Sequence, residues 1–373
     1  MNNDPNSVKI DLSALAHNLR QIRMLISKDT KIMGIVKSDA YGHGLFKVSQ
    51  TLEKNGIDCL GVAYLHEALE LREKGIKVPV VILCGIHSKD ECCEVVGKDL
   101  TPVLFDLMMA EILDQESERQ GKRTPIHLKV DTGMGRLGIS HEDIAPFIKR
   151  IMAFENLDIK ALTSHLSSAD ERVSDFTETQ IKKFEKAIEV GHSMGLRLPL
   201  NNLANSAGIM GYKKAHFEMV RPGIMLYGCL PSPEFKTHVV LNPAMHFKGR
   251  ILQIRDLPDQ TPVSYGRTYY TKGARRLAIL SVGYGDGIPR TISNRGSVLI
   301  RGNKVPIVGT ICMDLSMCDI TGLKDVRPGE EVVFLGSQGQ ETIIGDDIAG
   351  WAGTISYEIL CSVGQRNKRE YIS

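Results

Sequence analysis

Residues 31–44, KIMGIVKSDAYGHG, place a short apolar run directly before a polar, glycine-rich segment that begins at Lys37. The run Ile32–Lys37 shows no alternation of polar and apolar residues, which is the pattern of a strand buried on both of its faces. Strands of this kind belong to parallel sheets covered by helices. The stretch therefore predicts a parallel strand that ends at a reactive side chain.

The same unit recurs along the chain up to about residue 230, where strand-like runs alternate with amphipathic helical segments. The predicted strands are Ile32–Lys37, Cys59–Tyr64, Val78–Cys84, Leu100–Phe105, Ile126–Asp131, Ile159–His165, Leu198–Asn202 and Met219–Arg221. The predicted helical segments are 12–26, Leu45–Leu52, His66–Lys74, Asp106–Gln120 and Phe176–Met194. Such units joined by right-handed crossovers fit a (β/α)8 TIM-type barrel, with a doubly wound open sheet as the alternative.

The pattern changes after about Val240, where the helical period disappears. Short apolar runs follow, separated by Gly, Pro, Asn and Asp, as in antiparallel sheets. These runs are Ala244–Ile251, Arg276–Val282, Ser297–Ile300, Lys304–Val308 and Glu331–Leu335. We therefore predict an α/β protein with an N-terminal barrel over residues 1–238 and a mostly antiparallel β C-terminal domain over residues 239–373. The boundary is expected within Thr237–Pro243.

Composition narrows the possible partners and the compartment. The 373 residues are 42% hydrophobic and 24% charged with a net charge of +2, a globular balance without the basic face of a nucleic-acid-binding protein. The N-terminus lacks a signal-peptide pattern, and the longest apolar run, Val78–Leu83, is far too short for a membrane span. The eight cysteines show no CxxC spacing. We expect a cytoplasmic chain with reduced cysteines, no metal site, and no nucleic-acid or membrane partner.

Polar side chains follow several predicted strands at the end where barrel enzymes carry out their chemistry. Lys37 ends the first strand, and Arg136 follows the fifth. His165 ends the sixth strand, Ser206 follows the seventh, and Arg221 ends the eighth. Because these strand ends share one face of a barrel, we expect the five side chains to converge on one rim.

The last two of these loops suit a phosphate group. Ser206 offers a hydroxyl, and Gly223 and Ile224 offer main-chain N–H groups, in the loops where such barrels usually hold phosphate. A lysine facing a phosphate-bearing cofactor across the barrel mouth suggests a Schiff base between Lys37 and pyridoxal phosphate.

A set of motifs then carries a family resemblance. The motifs are KSDAYGHG at 37–44, HLKVDTGMGRLG at 127–138, VRPG at 220–223, SYGRT at 264–268, GYGDG at 283–287 and CMD at 312–314. In combination, over Val8 to about Arg366, they resemble the bacterial alanine racemases, a family of fold-type III pyridoxal-phosphate enzymes.

The resemblance implies a two-base enzyme that interconverts L-alanine and D-alanine, supplying D-alanine for peptidoglycan. Lys37 would bind the cofactor covalently and serve as one base. Tyr265 would be the other base and would come from the β domain of a second subunit in a head-to-tail homodimer. The residues implied to bind the cofactor phosphate are Tyr41, Ser206, Gly223, Ile224 and Tyr357.

The resemblance also implies how the cofactor ring and the substrate are held. Arg221 would face the pyridine nitrogen, and His165 would link Arg221 to the tyrosine base. Arg136 and the main chain at Met313 would receive the substrate carboxylate. Lys129 matches a lysine that is often carbamylated in the family and then braces the substrate-binding arginine.

Three other functions compete with this one. The first is a decarboxylase of diamino acids or an aldolase on the same barrel. Decarboxylases of this group are expected to place an acid against the pyridine nitrogen, and the arginine at 221 argues against them. A cofactor-carrying homeostasis protein would lack the C-terminal β domain. A racemase for serine or for a wider set of amino acids stays open, although crowding by Tyr265, Met313 and Tyr357 favours alanine.

Overall fold

A closed parallel barrel forms the N-terminal part of the computed structural model, which describes residues 4–171, 175–232, 235 and 239–373. Its strands are Lys31–Ile35, Cys59–Val62, Val80–Ile82, Thr101–Leu104, Thr124–Asp131, Leu157–Thr163 and Met219–Val220. The first six pair in parallel in chain order. Isolated bridges through Asn202 connect Thr163 to Met219, and Met219 pairs with Lys31 to close the ring. The predicted barrel is confirmed, and the open sheet is excluded.

The predicted strand Leu198–Asn202 takes a different form, because only Asn202 bridges its neighbours Thr163 and Met219. Asparagine side chains supplement the main-chain hydrogen bonds of this segment. Asn201 Oδ1 accepts the Leu162 N–H at 2.9 Å, and Asn202 Oδ1 accepts the Thr163 hydroxyl at 2.5 Å. Side-chain bonds of this kind compete with regular strand pairing.

Helices surround the barrel. Those of the N-terminal part are Leu12–Leu25, Lys37–Tyr41, Leu45–Lys54, Leu65–Glu73, Lys89–Gly97, Leu107–Arg119, Ile144–Ile151, Asp175–Ser193 and Ser206–Gly211. Asp11 caps the first by accepting the N–H groups of Ser13 and Ala14, a common way to satisfy free donors at a helix start. In the described part of the chain, no helix is long and apolar enough to cross a membrane.

A second, largely antiparallel sheet lies after the barrel. Its strands are Ser7–Asp11, Met245–Leu257, Arg275–Leu280, Ser297–Ile300, Asn303–Pro306, Ser316–Asp319, Glu331–Gln338, Glu341–Ile343 and Arg369–Ile372. Two short pieces lie outside it: the ribbon of Pro262–Val263 with Tyr269–Tyr270, and Ile139–Ser140 beside the barrel. The predicted mostly antiparallel C-terminal domain is confirmed.

Two features of this region differ from the prediction. Ser7–Asp11, assigned to the barrel domain by sequence, pairs with Met245–Leu257 and Arg369–Ile372 of the second sheet. The helical period does not end at Val240, because helices Gly345–Ala352 and Ser356–Arg366 follow the sheet. The division at 238/239 stays a prediction, since residues 236–238 lie outside the described residues.

Candidate active site

A cavity of about 620 Å³ opens at the carboxyl ends of the barrel strands. Nine of the residues predicted to form the site line it: Lys37, Tyr41, Lys129, Arg136, His165, Ser206, Arg221, Gly223 and Tyr357. Eight of them lie on the barrel strands or on the segments that follow these strands, and Tyr357 lies on the helix Ser356–Arg366. The expectation that the site lies at the carboxyl ends of the barrel strands therefore located the cavity.

The cavity wall is strongly cationic. Lys37, Lys129, Arg136 and Arg221 line it, and no aspartate or glutamate is among the described residues that do so. Burial, followed by the charges of Arg221 and Arg136, lowers the pKa of Lys129 to about 7. Such a wall favours anionic occupants, such as a phosphate group or a substrate carboxylate.

Lys37 begins a left-handed turn. Ser38, Asp39, Ala40 and Tyr41 have φ values of 54° to 55°. Because each non-glycine residue in this conformation costs roughly 1–2 kcal/mol, the turn persists only where its surroundings hold it. One such contact comes from the barrel itself: Glu67 accepts a hydrogen bond from the Ser38 N–H at 2.6 Å.

Arg221 and His165 form a buried pair. Arg221 donates to the side chain of Asn202, to the Ser164 carbonyl at 2.5 Å and to the Leu203 carbonyl at 3.1 Å. Its Nη2 also lies 3.2 Å from His165 Nδ1. Since a guanidinium only donates, Nδ1 accepts, and the neutral ring carries its proton on Nε2.

The charge states of this pair follow from burial. Burial, then the charge of Arg221, holds the pKa of His165 well below its usual value, so the imidazole is neutral at physiological pH. Burial lowers the pKa of Arg221 to about 10, which leaves the guanidinium cationic. The pair therefore presents a fixed positive charge and a neutral N–H donor.

Small and hydroxyl-bearing residues form a second wall that fits a phosphate. Ser206 Oγ accepts the Gly223 N–H at 3.1 Å, and a Cβ added to Gly223 would lie 2.5 Å from the Tyr41 hydroxyl oxygen. The rings of Tyr41 and Tyr357 are 5.7 Å apart. Burial raises the pKa of both hydroxyls, so both remain protonated donors. This chain's donor set and its clearance at Gly223 suit pyridoxal phosphate.

Three predicted site residues do not line the cavity. Tyr265 and Met313 are 69% and 57% exposed, and both lie in the C-terminal region. Tyr265 instead lines a separate surface pocket with Ser264 and Cys312. The Ile224 side chain is fully buried, which leaves only its main chain to serve a ligand.

Other residues that sequence reasoning passed over also line the cavity. Tyr64 and Cys84 stand just beyond the strands Cys59–Val62 and Val80–Ile82, and Asn205 precedes Ser206. If the residue at the carboxyl end of every predicted strand had been taken as a candidate, Tyr64 and Cys84 would have been included. Cys361 lies one helical turn after Tyr357 and reaches the cavity for that reason.

Comparison with known proteins gives a consistent answer. Residues 10–231 match the family model of the alanine racemase N-terminal domain, and residues 244–371 match that of the C-terminal domain. The chain is 41% identical to alanine racemase 2 of Caldanaerobacter subterraneus subsp. tengcongensis, over 99% of this chain and 95% of that protein.

Solved structures agree in fold. The crystal structure of alanine racemase from D-cycloserine-producing Streptomyces lavendulae has a TM-score of 0.93 at 30% identity, covering 100% of this chain and 98% of that one. The Bartonella henselae alanine racemase, with covalently bound pyridoxal phosphate, has a TM-score of 0.88 at 31% identity, covering 99% of both chains. The architecture, the cavity and the full-length similarity lead to one conclusion: this chain belongs to the alanine racemase family.

Proposed function

We propose that this chain is a cytoplasmic alanine racemase that interconverts L-alanine and D-alanine and supplies D-alanine for peptidoglycan. The observation that carries the proposal is that Lys37 lines the same cationic cavity as Tyr41, Ser206 and Gly223. This arrangement pairs a nucleophilic lysine with a phosphate seat, as a pyridoxal-phosphate enzyme requires.

The family depends on pyridoxal phosphate, and the described residues suit it. The residues assigned to the phosphate are Tyr41, Ser206, Gly223, Ile224 and Tyr357. Lys37 would hold the cofactor covalently, and Arg221 would face its pyridine nitrogen. When bound, the cofactor withdraws electrons from the α-carbon of an attached amino acid and so acidifies its α-proton.

The chain's own bases move that proton. Lys37 takes it from, or returns it to, one side of the α-carbon, and Tyr265 does the same on the other side. Inversion of the stereocentre requires a base on each side. Because Tyr265 is 69% exposed and lies outside the cavity of its own chain, we assign it to the cavity of a second copy in a homodimer.

Arg221 and His165 set the electrostatics of the reaction. The cation of Arg221 disfavours a proton on the pyridine nitrogen, which limits electron withdrawal and side reactions such as transamination. Because His165 is neutral and carries its proton on Nε2, this N–H would be free to donate a hydrogen bond toward the tyrosine base. An acid at position 221 would suit a decarboxylase, so the arginine argues against that alternative.

The carboxylate of the substrate is assigned to Arg136 and to the main chain at Met313. Arg136 is an exposed cation on the cavity rim, where an incoming amino acid arrives. Met313 is 57% exposed and would be supplied, with Tyr265, by the second copy. When the carboxylate is held in one position, the α-carbon is placed between the two bases.

A chiral assay tests the activity. Purified protein with pyridoxal phosphate is incubated separately with L-alanine, L-serine and L-lysine, and the enantiomers are separated by chiral chromatography. We expect rapid formation of D-alanine and slow reaction of the other two, because Tyr357, with Tyr265 and Met313 of the second copy, would crowd a larger substrate side chain. Equal rates with serine would identify a broader racemase. Bound cofactor without any D-amino acid would contradict the proposal.

Lys129 is expected to carry a carbamate. Its neutral amine would attack CO2, forming an N–C bond and releasing one proton, and the new anion would offset the charges of Arg136 and Arg221. Because the pKa of Lys129 is lowered to about 7, the reactive neutral amine increases as pH rises through this value. We expect a carbamate signal in ¹³C NMR with labelled bicarbonate at about pH 8, fading toward about pH 6. Lys129→Arg is the control, and a signal that survives it would place the carbamate elsewhere.

A further inference from the structure

The left-handed turn Ser38–Tyr41 needs external restraints, and the barrel supplies only part of them. Glu67 is buried and accepts the N–H groups of Ser38 and Ala63, which fastens the start of the turn to the barrel. Within the segment, His43 Nδ1 lies 3.1 Å from the Ala40 carbonyl oxygen, so the ring N–H caps the end of the turn. The middle of the turn, at Asp39, is held by a different part of the chain.

That part is the last strand, Arg369–Ile372, at the edge of the second sheet. Arg369 Nη1 donates to Asp39 Oδ2 and, at 2.9 Å, to the Gly42 carbonyl. Tyr371, two residues on and so on the same face of the strand, packs against Gly44, where an added Cβ would meet its hydroxyl oxygen at 1.9 Å. One face of the C-terminal strand therefore covers the segment that follows Lys37.

Asp39 joins this contact to the barrel. Its Oδ1 accepts the Leu45 N–H at 2.7 Å, at the start of the helix Leu45–Lys54, while Oδ2 accepts from Arg369. The side chain of Arg369 is 22% exposed and that of Asp39 is 36% exposed, so solvent screens the pair only in part. Charge-assisted bonds to a carboxylate and a carbonyl fix position as well as charge.

We propose that Arg369 is a positioning residue for Lys37: from the C-terminal strand it holds the strained turn through Asp39 and Gly42 and so orients the cofactor-binding amine. The inference rests on the proposed role of Lys37. Without the arginine, the turn would relax toward ordinary backbone angles, and the amine at its start would lose its fixed direction.

The test compares Arg369→Met, which keeps the aliphatic stem, with Lys368→Met, which removes a neighbouring exposed cation. In the holoenzyme, we expect Arg369→Met to increase amide exchange of Gly42 and Gly44 about tenfold, and cofactor release by a similar factor. Lys368→Met should change neither. Arg369→Lys should give intermediate rates of amide exchange and cofactor release, because an ammonium lacks the planar array of donors that a guanidinium has. If Arg369→Met does not fold, Arg369→Lys serves as the test.

A double variant sharpens the result. If the two side chains act through each other, Asp39→Asn with Arg369→Met should release cofactor no faster than Arg369→Met alone. The inference would be overturned if amide exchange and cofactor release in Arg369→Met stayed within twofold of those in Lys368→Met. It would also be overturned if Arg369→Met increased amide exchange and left cofactor release unchanged. Failure of the proposed function would show separately, as covalently bound cofactor persisting in Lys37→Ala.

Discussion

Lys37→Ala is expected to abolish the visible absorbance of the lysine-linked cofactor and to lower racemisation in both directions by about 10⁴-fold or more. The loss is large because one side chain both anchors the cofactor and moves a proton. The cationic wall and the phosphate seat remain, so the variant should still bind pyridoxal phosphate without a covalent link. Absorbance spectra and chiral chromatography on the same preparation measure both effects.

The matched control is Lys129→Ala, because among the described residues Lys129 is the other lysine that lines the cavity. It should keep the visible absorbance even if its activity falls. Borohydride reduction of the wild-type protein, followed by peptide mapping, should place the trapped cofactor on the peptide that contains residue 37. Retained absorbance in Lys37→Ala, or label on the peptide of Lys129, would remove Lys37 from its role.

The barrel could be predicted because its strands are buried on both faces and are followed by helices of regular apolar period. Pairing between distant segments carries no such local pattern. Ser7–Asp11 therefore looked like the start of the barrel, although its partners are Met245–Leu257 and Arg369–Ile372. The helix Ser356–Arg366 does have buried Ile359, Leu360 and Val363 at helical spacing, but serine and glycine complete its buried face and weaken the signal.

The candidate site could be predicted where its residues follow barrel strands within two positions, as Lys37, His165 and Arg221 do. The left-handed turn after Lys37 could not, because its residues include no glycine or asparagine to mark positive φ and depend on distant contacts. Tyr357 was assigned by resemblance alone, since nothing local to a helix in the C-terminal region indicates a barrel mouth. Arg369 was not predicted, because nothing in the local sequence indicates its contact with the barrel.

Tyr265→Ala is expected to suppress proton removal from L-alanine by about 10²- to 10⁴-fold, and from D-alanine far less. If Tyr265 is the base for one enantiomer and Lys37 for the other, loss of the tyrosine removes only one of the two first steps. Exchange of the α-proton in deuterated solvent, started from each pure enantiomer, separates them. Tyr270→Ala is a suitable control, because this nearby tyrosine is also exposed, at 44%. Equal losses with both enantiomers would end the one-base-per-enantiomer assignment.

Mixing two inactive variants tests whether the bases come from different chains. A Lys37→Ala chain keeps its Tyr265, and a Tyr265→Ala chain keeps its Lys37, so a mixed dimer regains one complete site only if each cavity uses the tyrosine of the other copy. Random re-pairing makes half of the dimers mixed, with one intact site of two, so about a quarter of wild-type activity should return. If both bases belonged to one chain, no complete site could form and activity would stay at the level of the variants. The exposure of Tyr265 outside its own cavity leads us to expect recovery.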